Sequence, residues 1–478
     1  MQKEPRLSEA KQKLLEIQRR GGRIPAAAAA PEVKRRRRGT PAPLSLPQEQ
    51  VWRLDQTAGR LAPLHNESIT IHRHGVCDAA ALENSLGEIV RRHEIWRTTF
   101  DVIAGLPVQI VHDAPATFKL PVTDLRTLPE ADREKKAHEV ATQDASQPFD
   151  LKHGPLFRVR LVTLEDAEHR LYLTAHQSIV DGITVFDIFP SELTTLYENF
   201  AAGRPSPLPP LENQYADFAD WQRRSVTGDA IERQVAYWQK QLAGDLPILQ
   251  WPNQGARPAQ QTFRGALQPF ELTQELMEPL RDLGRREGAT LFMILLAGLV
   301  ALLHRYTRQE DIVVGTLAPC GRKQIEFQRL LGYFLNPVAL RTNLSGDPSF
   351  SSLLGQMREV TLGAISNDDV PLELIAERLQ IKPDPSRSLF FTVALSVAPD
   401  VPQLPPGWSM TYMDVESGGA RWDLYLEFND RAGGMIGRAQ YNPDLFTTAA
   451  ITQTLEDFRL LLQRITAGPV QRISALCR

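Results

Sequence analysis

Apolar residues recur at helical spacing in several parts of the chain. Asp78 is a suitable N-cap for a helix with apolar residues at i, i+4, i+7 and i+8. These residues are Leu82, Leu86, Ile89 and Val90. Similar stripes predict helices at Leu193, Leu196, Tyr197 and Phe200, and at Leu276, Leu280 and Leu283. Thr290 caps a further helix whose apolar run, Leu291 to Leu303, is too short to span a bilayer and is therefore predicted to lie in the core.

Other segments show the alternation of a strand with one buried face. Phe157 to Leu164 and Arg170 to Ala175 alternate in this way and are joined by a short polar turn. Asp311 to Gly315 is rich in β-branched residues and predicts a third strand. Because helices alternate with strands in both halves, we expect a layered α/β architecture.

The chain is predicted to have three parts. A short helix, Leu7 to Arg20, is followed by a basic linker rich in proline and alanine, which has almost nothing to bury. A second proline-rich stretch, Pro205 to Pro210, predicts a boundary between two lobes. The predicted parts are residues 1–42, residues 43–210 and residues 211–478.

Composition and charge narrow the class of protein. Residues 1–40 carry a net charge of +8, whereas the whole chain of 478 residues carries −3. The acidic body argues against nonspecific binding of nucleic acid. The cysteines Cys77, Cys320 and Cys477 are far apart, which argues against a disulfide framework or a structural zinc site and fits a reducing cytoplasm. The polar N-terminus shows no secretory signal, and no membrane partner is expected.

The segment from His176 to Gly182 is the main candidate for chemistry. It follows the second predicted strand directly, and strand alternation places His176 on the same face as Tyr172 and Thr174. A histidine at a strand end, with Asp-Gly five residues later, is typical of a catalytic site or of a hydrogen-bonded core histidine beside a turn. The residues alone leave both interpretations open.

Seven short motifs resemble, in order, those of nonribosomal peptide synthetase condensation domains. They run from Pro43 to Trp52, Arg92 to Phe100, His176 to Gly182, Tyr215 to Trp221, Leu331 to Arg341, Asn367 to Glu373, and Asp384 to Arg387. The resemblance extends from about Pro43 to the C-terminus. It implies an α/β fold of two chloramphenicol acetyltransferase-like lobes, arranged as a V-shaped pseudo-dimer around a central tunnel.

The resemblance also implies an activity and partners. A donor and an acceptor carrier protein would each deliver a substrate on a phosphopantetheine arm, and the acceptor amine would attack the donor thioester to form an amide. Adjacent synthetase modules are further implied partners, and the Leu7 to Arg20 helix resembles segments that open chains receiving substrate from another polypeptide. The fold implies no metal and no permanently bound cofactor. The sequence contains no carrier attachment site and no glycine-rich nucleotide loop.

In that family the third motif reads His-His-x-x-x-Asp-Gly, and the second histidine faces the reaction. Gln177 occupies this place here. A carboxamide can form hydrogen bonds but is too weakly basic to accept a proton near neutral pH. His176 is one residue away and is expected to face differently. The candidate catalytic residues are His176, Gln177, Asp181 and Gly182.

The other motif residues have structural interpretations. Asp181 is predicted to be buried and paired with Arg92 or Arg97. Gly182 is expected to let the turn pass close to the substrate channel, with its amide as a candidate contact for the reacting carbonyl.

Three further motif residues are interpreted first as structural. Trp221 is interpreted as a core aromatic, with a substrate contact as the alternative. Asn336, which precedes a proline, is interpreted as a turn residue, with a place on the tunnel wall as the alternative. Arg387 is predicted to form an ion pair.

Two functions remain open at this point. The first is an active condensation enzyme in which holding the reactants together provides most of the rate. The second is a non-catalytic module that binds carrier proteins or recruits a tailoring enzyme. The signatures of heterocyclising and epimerising relatives do not match, and a coenzyme A-dependent acetyltransferase would rest on fold alone. The sequence does not distinguish a natural Gln177 from an engineered one.

Overall fold

In the part of the chain that the structure describes, the strands form two large sheets and one small sheet. The computed structural model describes residues 32–58, 63–252, 255–398, 401–412, 414–431 and 433–477. The strands are β1 (Ala42–Pro43), β2 (Asn66–His74), β3 (Thr98–Ile103), β4 (Leu106–Val111), β5 (Val122–Asp124), β6 (Phe157–Glu165), β7 (Glu168–His176), β8 (Ala266–Thr273), β9 (Asp311–Ala318), β10 (Asn336–Asn343), β11 (Val393–Val397), β12 (Trp408–Tyr412), β13 (Leu424–Arg431) and β14 (Gly434–Tyr441).

The first large sheet has the strand order β12-β2-β7-β6-β5, and the small sheet has the order β1-β4-β3. β6 and β7 form an antiparallel hairpin in which Phe157 pairs with Ala175, which confirms the two strands predicted from alternation. β2 flanks β7 on its other side and places Asn66 opposite His176. β7 is therefore the central strand of this sheet, and the third motif begins at its C-terminal end.

The second large sheet has the strand order β10-β9-β11-β13-β14-β8. β9 contains the third predicted strand, and β11 is parallel to both β9 and β13. β12 comes from the second half of the chain but pairs with β2 of the first sheet, with Trp408 opposite Arg73. The second half thus contributes an edge strand to the sheet of the first half.

The helices confirm the predicted stripes and caps. They are α1 (Leu46–Ala58), α2 (Ala79–Arg92), α3 (Glu130–Ala145), α4 (Phe189–Ala201), α5 (Tyr215–Ser225), α6 (Gly228–Gln241), α7 (Gln274–Glu287), α8 (Leu291–Thr307), α9 (Phe350–Ser366), α10 (Leu372–Arg378), α11 (Thr448–Ala467) and α12 (Ile473–Leu476). The Asp78 carboxylate accepts hydrogen bonds from the first backbone amides of α2, and the Thr290 hydroxyl caps α8. α8 is buried from Met293 to Leu303, as its apolar run predicts.

The apolar core has two main clusters. One surrounds α8 and the second sheet. The other joins α2 and α4 to the first sheet and also contains Tyr215, Phe218, Phe327 and Phe334, which follow residue 210. The boundary between residues 210 and 211 remains a prediction, and these contacts cross it.

The described end of the predicted linker is attached to the first half. Val33 packs against its core, and the backbone N–H of Arg36 donates to the Asp217 carboxylate at 2.8 Å. The predicted helix at Leu7 to Arg20 lies outside the described residues. Among those described, no single helix is long and apolar enough to cross a membrane.

Candidate active site

The third motif forms the turn between β7 and α4. Gln177–Ile179 make one 3-10 turn, and Gly182 begins a helical segment that passes through a π turn, Thr184–Ile188, into α4. The backbone N–H of Gln177 donates to the carbonyl oxygen of His65 at 2.7 Å. Because His65 directly precedes β2, this bond fixes Gln177 relative to two neighbouring strands.

Gln177 lies beside a chain of charged groups that joins the two large sheets. Its half-buried side chain donates from Nε2 to Oε1 of Glu67, at 3.4 Å. The other carboxylate oxygen of Glu67 lies 3.4 Å from Arg438 on β14. Arg438 also donates to Glu427 on β13, at 2.7 Å. The residue that replaces the expected imidazole is thus in contact with a carboxylate.

The surroundings of Glu67 shift the pKa of its carboxyl group. Burial raises the pKa of Glu67 above its usual range; Arg438 opposes this shift and Glu427 adds to it. About a third of the Glu67 side chain (32%) nevertheless remains exposed. Glu67 is therefore both accessible and more basic than a carboxylate in water.

His176 belongs to a different environment from Gln177, as strand alternation predicts. It is buried, and its ring meets the rings of His65 and Phe149 edge to face. Its Nδ1 lies 2.7 Å from the Ser178 hydroxyl and 3.3 Å from the backbone nitrogen of Ser178. Its Nε2 faces Asp55 at 3.5 Å.

Asp55, His65 and His176 are the described residues that bring ligand atoms close enough together to suggest a metal site, within 4.8 Å. We interpret the group as side chains that contact one another, because Nδ1 of His65 lies 3.4 Å and Nε2 of His176 lies 3.5 Å from the same Asp55 oxygen. Burial lowers the pKa of His65 to about 4. Burial raises the pKa of Asp55, but hydrogen bonds from His176 and His65 outweigh it and hold that pKa well below its usual range.

Asp181 is buried as predicted, but its partner is neither Arg92 nor Arg97. Arg322 donates from Nε to one Asp181 oxygen at 2.9 Å and from a terminal nitrogen to the other at 2.8 Å. The carboxylate also accepts the backbone N–H of Thr184 at 2.7 Å. The predicted pairing is therefore wrong, because an arginine from the second half of the chain satisfies this carboxylate.

Arg92 and Arg97 instead stabilise the first half. Arg92 is buried and donates to Glu192 on α4 at 3.1 Å. Arg97 donates to the backbone carbonyl of His112 and lies 3.5 Å from Glu94. The acceptors of both arginines lie close to the second motif. Asp181 pairs instead with an arginine that is distant from it in the sequence.

The Asp181–Arg322 pair is part of a contact between motifs. Arg322 also donates to the Thr184 hydroxyl at 3.1 Å, and that hydroxyl donates to the carbonyl of Gly332 at 3.1 Å. The Arg322 guanidinium lies 4.3 Å from the ring centroid of Phe334. Arg322 therefore links the third motif to Phe334 of the fifth motif, and Thr184, two residues after the third motif, bonds directly to Gly332.

Trp221 is partly buried and packs against Phe327, with ring centroids 5.4 Å apart. This position agrees with a core aromatic, and a substrate contact stays a prediction. Arg387 forms the predicted ion pair, with Asp384 at 2.7 Å.

Asn336 is buried and begins β10, so its interpretation as a turn residue is wrong. Its side-chain nitrogen donates to the carbonyls of Asp368 at 2.7 Å and Val370 at 2.9 Å. Its oxygen accepts from Gln50 at 3.1 Å. These bonds join α1, β10 and the sixth motif, and explain why an asparagine stands at a strand start.

Three residues of the site were not predicted from the sequence: Glu67, Arg322 and Arg438. Glu67 and Arg438 stand in ordinary strands without a motif, so no local pattern marks them. Arg322 follows a buried β-branched strand and precedes the fifth motif. A cation in that position is a weak signal of a buried partner.

The comparisons with known proteins decide the family. The profile of the family described as "Condensation domain" matches residues 39–477. This chain belongs to the condensation domain family. The domain is 38% identical over 442 residues to a linear gramicidin synthase of Brevibacillus parabrevis, and 36% identical over 436 residues to a chondramide synthase of Chondromyces crocatus. These matches cover 91% and 90% of this chain but only 6% and 11% of the relatives, so the chain spans a small part of their length.

Solved structures with a similar fold support the same family. The X-domain from teicoplanin biosynthesis has a TM-score of 0.81 and 28% identity, and the match covers 93% of this chain and 99% of that one. The first condensation domain of the calcium-dependent antibiotic synthetase has a TM-score of 0.79 over 91% of this chain and 99% of that one. At 21% identity the latter likeness shows the fold alone. The expected chloramphenicol acetyltransferase-like α/β fold is thereby confirmed.

Proposed function

We propose that this condensation domain joins a carrier-bound acyl or peptidyl thioester to a carrier-bound amine, with formation of an amide. The observation that carries the proposal is the contrast within the third motif. Asp181 is locked to Arg322 in the interior, whereas Gln177 is half-exposed beside charged groups of both sheets. A rigid turn that presents one accessible polar side chain is suited to hold two reactants in line.

The proposed amide formation requires little more than the correct placement of the amine relative to the thioester. The phosphopantetheine arms of the two carriers would supply the tethers, and no residue of this chain needs to hold a cofactor. The Gln177 carboxamide would hold the amine or the thioester carbonyl by hydrogen bonds. His176 faces Asp55, so its role is to fix the turn. The proposed partners are donor and acceptor carrier proteins and adjacent synthetase modules.

A second candidate is a non-catalytic docking module. The X-domain that resembles this chain has also been solved in a structure described as a complex of the X-domain and OxyB, with a TM-score of 0.80 and 28% identity. Together with the missing imidazole at residue 177, this likeness favours a platform that binds carriers or recruits a tailoring enzyme.

The test is a reconstituted condensation reaction. Donor and acceptor carriers from the neighbouring modules are loaded and mixed with the chain, and intact-protein mass spectrometry follows both carriers. Gln177→Ala removes the carboxamide, and Gln177→His supplies an imidazole. Gln453→Ala is a matched control, because Gln453 lies on an exposed face of α11.

We expect product from the unmodified chain, a lower rate with Gln177→Ala, and no change with Gln453→Ala. If neither the unmodified chain nor Gln177→His makes product while carrier binding is measurable, the docking module is the function. Product only after Gln177→His would show that the present residue has abolished the activity.

A further inference from the structure

We propose that the Glu67 carboxylate is the proton acceptor for the attacking amine, a role that Gln177 cannot fill. The inference rests on the proposed condensation function and names the residue that performs its proton transfer. It is carried by the contact between the Gln177 carboxamide and Glu67 and by the position of that contact between the two sheets.

The geometry gives Glu67 access to the same space as Gln177. Gln177 donates from Nε2 to one Glu67 oxygen at 3.4 Å, so a substrate group held by the carboxamide oxygen would lie close to the carboxylate. With 32% of its side chain exposed, Glu67 can be reached from outside the core. A neutral carboxamide does not accept protons in this range of pH, but a carboxylate does.

The charges around Glu67 suit a base. Arg438 from β14 lies 3.4 Å from it and favours the ionised form. Burial and the Glu427 carboxylate from β13 act in the opposite direction and raise its pKa. From the end of β7 it is faced by Gln177, which is uncharged. A carboxylate kept ionised by one cation, yet made more basic by its surroundings, is a better proton acceptor than a carboxylate in water.

The step balances without any further reactant. The amine nitrogen attacks the thioester carbonyl carbon, a C–N bond forms, and one N–H proton passes to Glu67. The C–S bond then breaks, and the thiolate of the donor arm takes that proton. The products are the amide on the acceptor arm and a free thiol on the donor arm, and Glu67 returns to its ionised form.

The test compares single-turnover rates of amide formation across a range of pH. Glu67→Gln keeps the shape of the side chain and removes its basicity, and Glu67→Asp keeps a carboxylate if the glutamine variant does not fold. Glu168→Gln is a matched control: Glu168 is 35% exposed and lies 3.1 Å from Arg170, but it stands at the far end of β7. The double variant Glu67→Gln with Gln177→His asks whether an imidazole at residue 177 replaces the carboxylate.

We expect the rate of the unmodified chain to rise as the pH passes upward through the pKa of Glu67. Glu67→Gln should lower the rate by about 10²-fold or more. It should also abolish this rise with pH, which is the acidic limb of the pH–rate profile. Glu67→Asp should retain the limb, and the double variant should recover much of the rate with a limb near the pKa of histidine. Glu168→Gln should change neither rate nor profile.

A purely structural role for Glu67 predicts a different result, namely a rate lowered equally at every pH with the limb intact. That result, or a Glu67→Gln rate within threefold of the control, overturns the inference and leaves the proposed function standing. Absence of product from the unmodified chain overturns both.

Discussion

Arg322 donates hydrogen bonds to both oxygens of the Asp181 carboxylate, although the two residues are 141 positions apart. Their side chains are 1% and 0% exposed. The pair fixes the turn that carries Gln177 to the segment before the fifth motif. Because both charges are out of water, each depends on the other.

Removing either partner should be costly. Asp181→Asn or Arg322→Met leaves a buried charge without its counter-ion, and we expect the free energy of unfolding to fall by about 3–5 kcal/mol in urea titrations. Arg387→Met serves as the control, since its pair with Asp384 is partly exposed and should cost less than about 1 kcal/mol. If Asp181→Asn costs no more than this control, the pair does not hold the site together.

Gly332 should be intolerant of a side chain. Its φ is +150°, and a Cβ atom there would lie 2.0 Å from the ring of Tyr215. We expect Gly332→Ala to lower the free energy of unfolding by about 1–3 kcal/mol through overpacking. Gly355→Ala, in α9 with open space around it, should instead stabilise by up to about 1 kcal/mol. Equal effects of the two substitutions would contradict the close packing of the fifth motif on α5.

The fold could be predicted where its cause is local. The alternation of Phe157 to Leu164 and the stripe of Leu82, Leu86 and Ile89 reflect strand and helix periodicity, and both predictions are confirmed. The crossing of β12 into the first sheet could not be predicted, because pairing between Trp408 and Arg73 depends on the path of the whole chain.

In the candidate site too, local features could be predicted from the sequence, whereas long-range contacts could not. Strand alternation separated His176 from Gln177, and the structure agrees. The partner of Asp181 was wrong because burial can be read from a motif, whereas the identity of a distant counter-ion cannot. Glu67 was missed for the same reason, since its contact with Gln177 joins residues 110 positions apart.

The crossing strand β12 should be anchored by Trp408. Its ring meets Tyr197 edge to face at 5.0 Å, and Arg73 lies 5.1 Å from its centroid. Trp408→Ala should lower the free energy of unfolding by about 3–5 kcal/mol and speed amide hydrogen exchange in β2.

Trp251→Ala provides the comparison for Trp408, because Trp251 packs on Tyr306 and Phe446 in the second half. Trp251→Ala should lower the free energy of unfolding without selectively speeding amide hydrogen exchange in β2. Protection of the β2 amides that survives Trp408→Ala would show that β12 is not held by this side chain.

Acid should destabilise the protein through His65. Burial lowers the pKa of His65 to about 4, against its ordinary value of 6.5. Between these two pH values the unfolded chain binds a proton that the folded chain does not, so stability falls as the pH is lowered from 6.5 toward 4. Asp55, whose pKa lies below its usual range, loses its contribution only at lower pH. We therefore expect His65→Asn to reduce the slope of unfolding free energy against pH in this window, by up to about 1.4 kcal/mol per pH unit.

The measurement is a series of urea titrations between pH 7 and pH 4.5. The slope should decrease without vanishing, because burial also lowers the pKa of His72 to about 4 and this group acts in the same window. Gln453→Asn is the control, since Gln453 lies on an exposed face of α11 and carries no titratable group, so it should leave the slope unchanged. If His65→Asn gives the same slope as this control and the unmodified chain, then His65 takes up its proton in the folded state, and the buried group it forms with Asp55 and His176 does not exclude the charge.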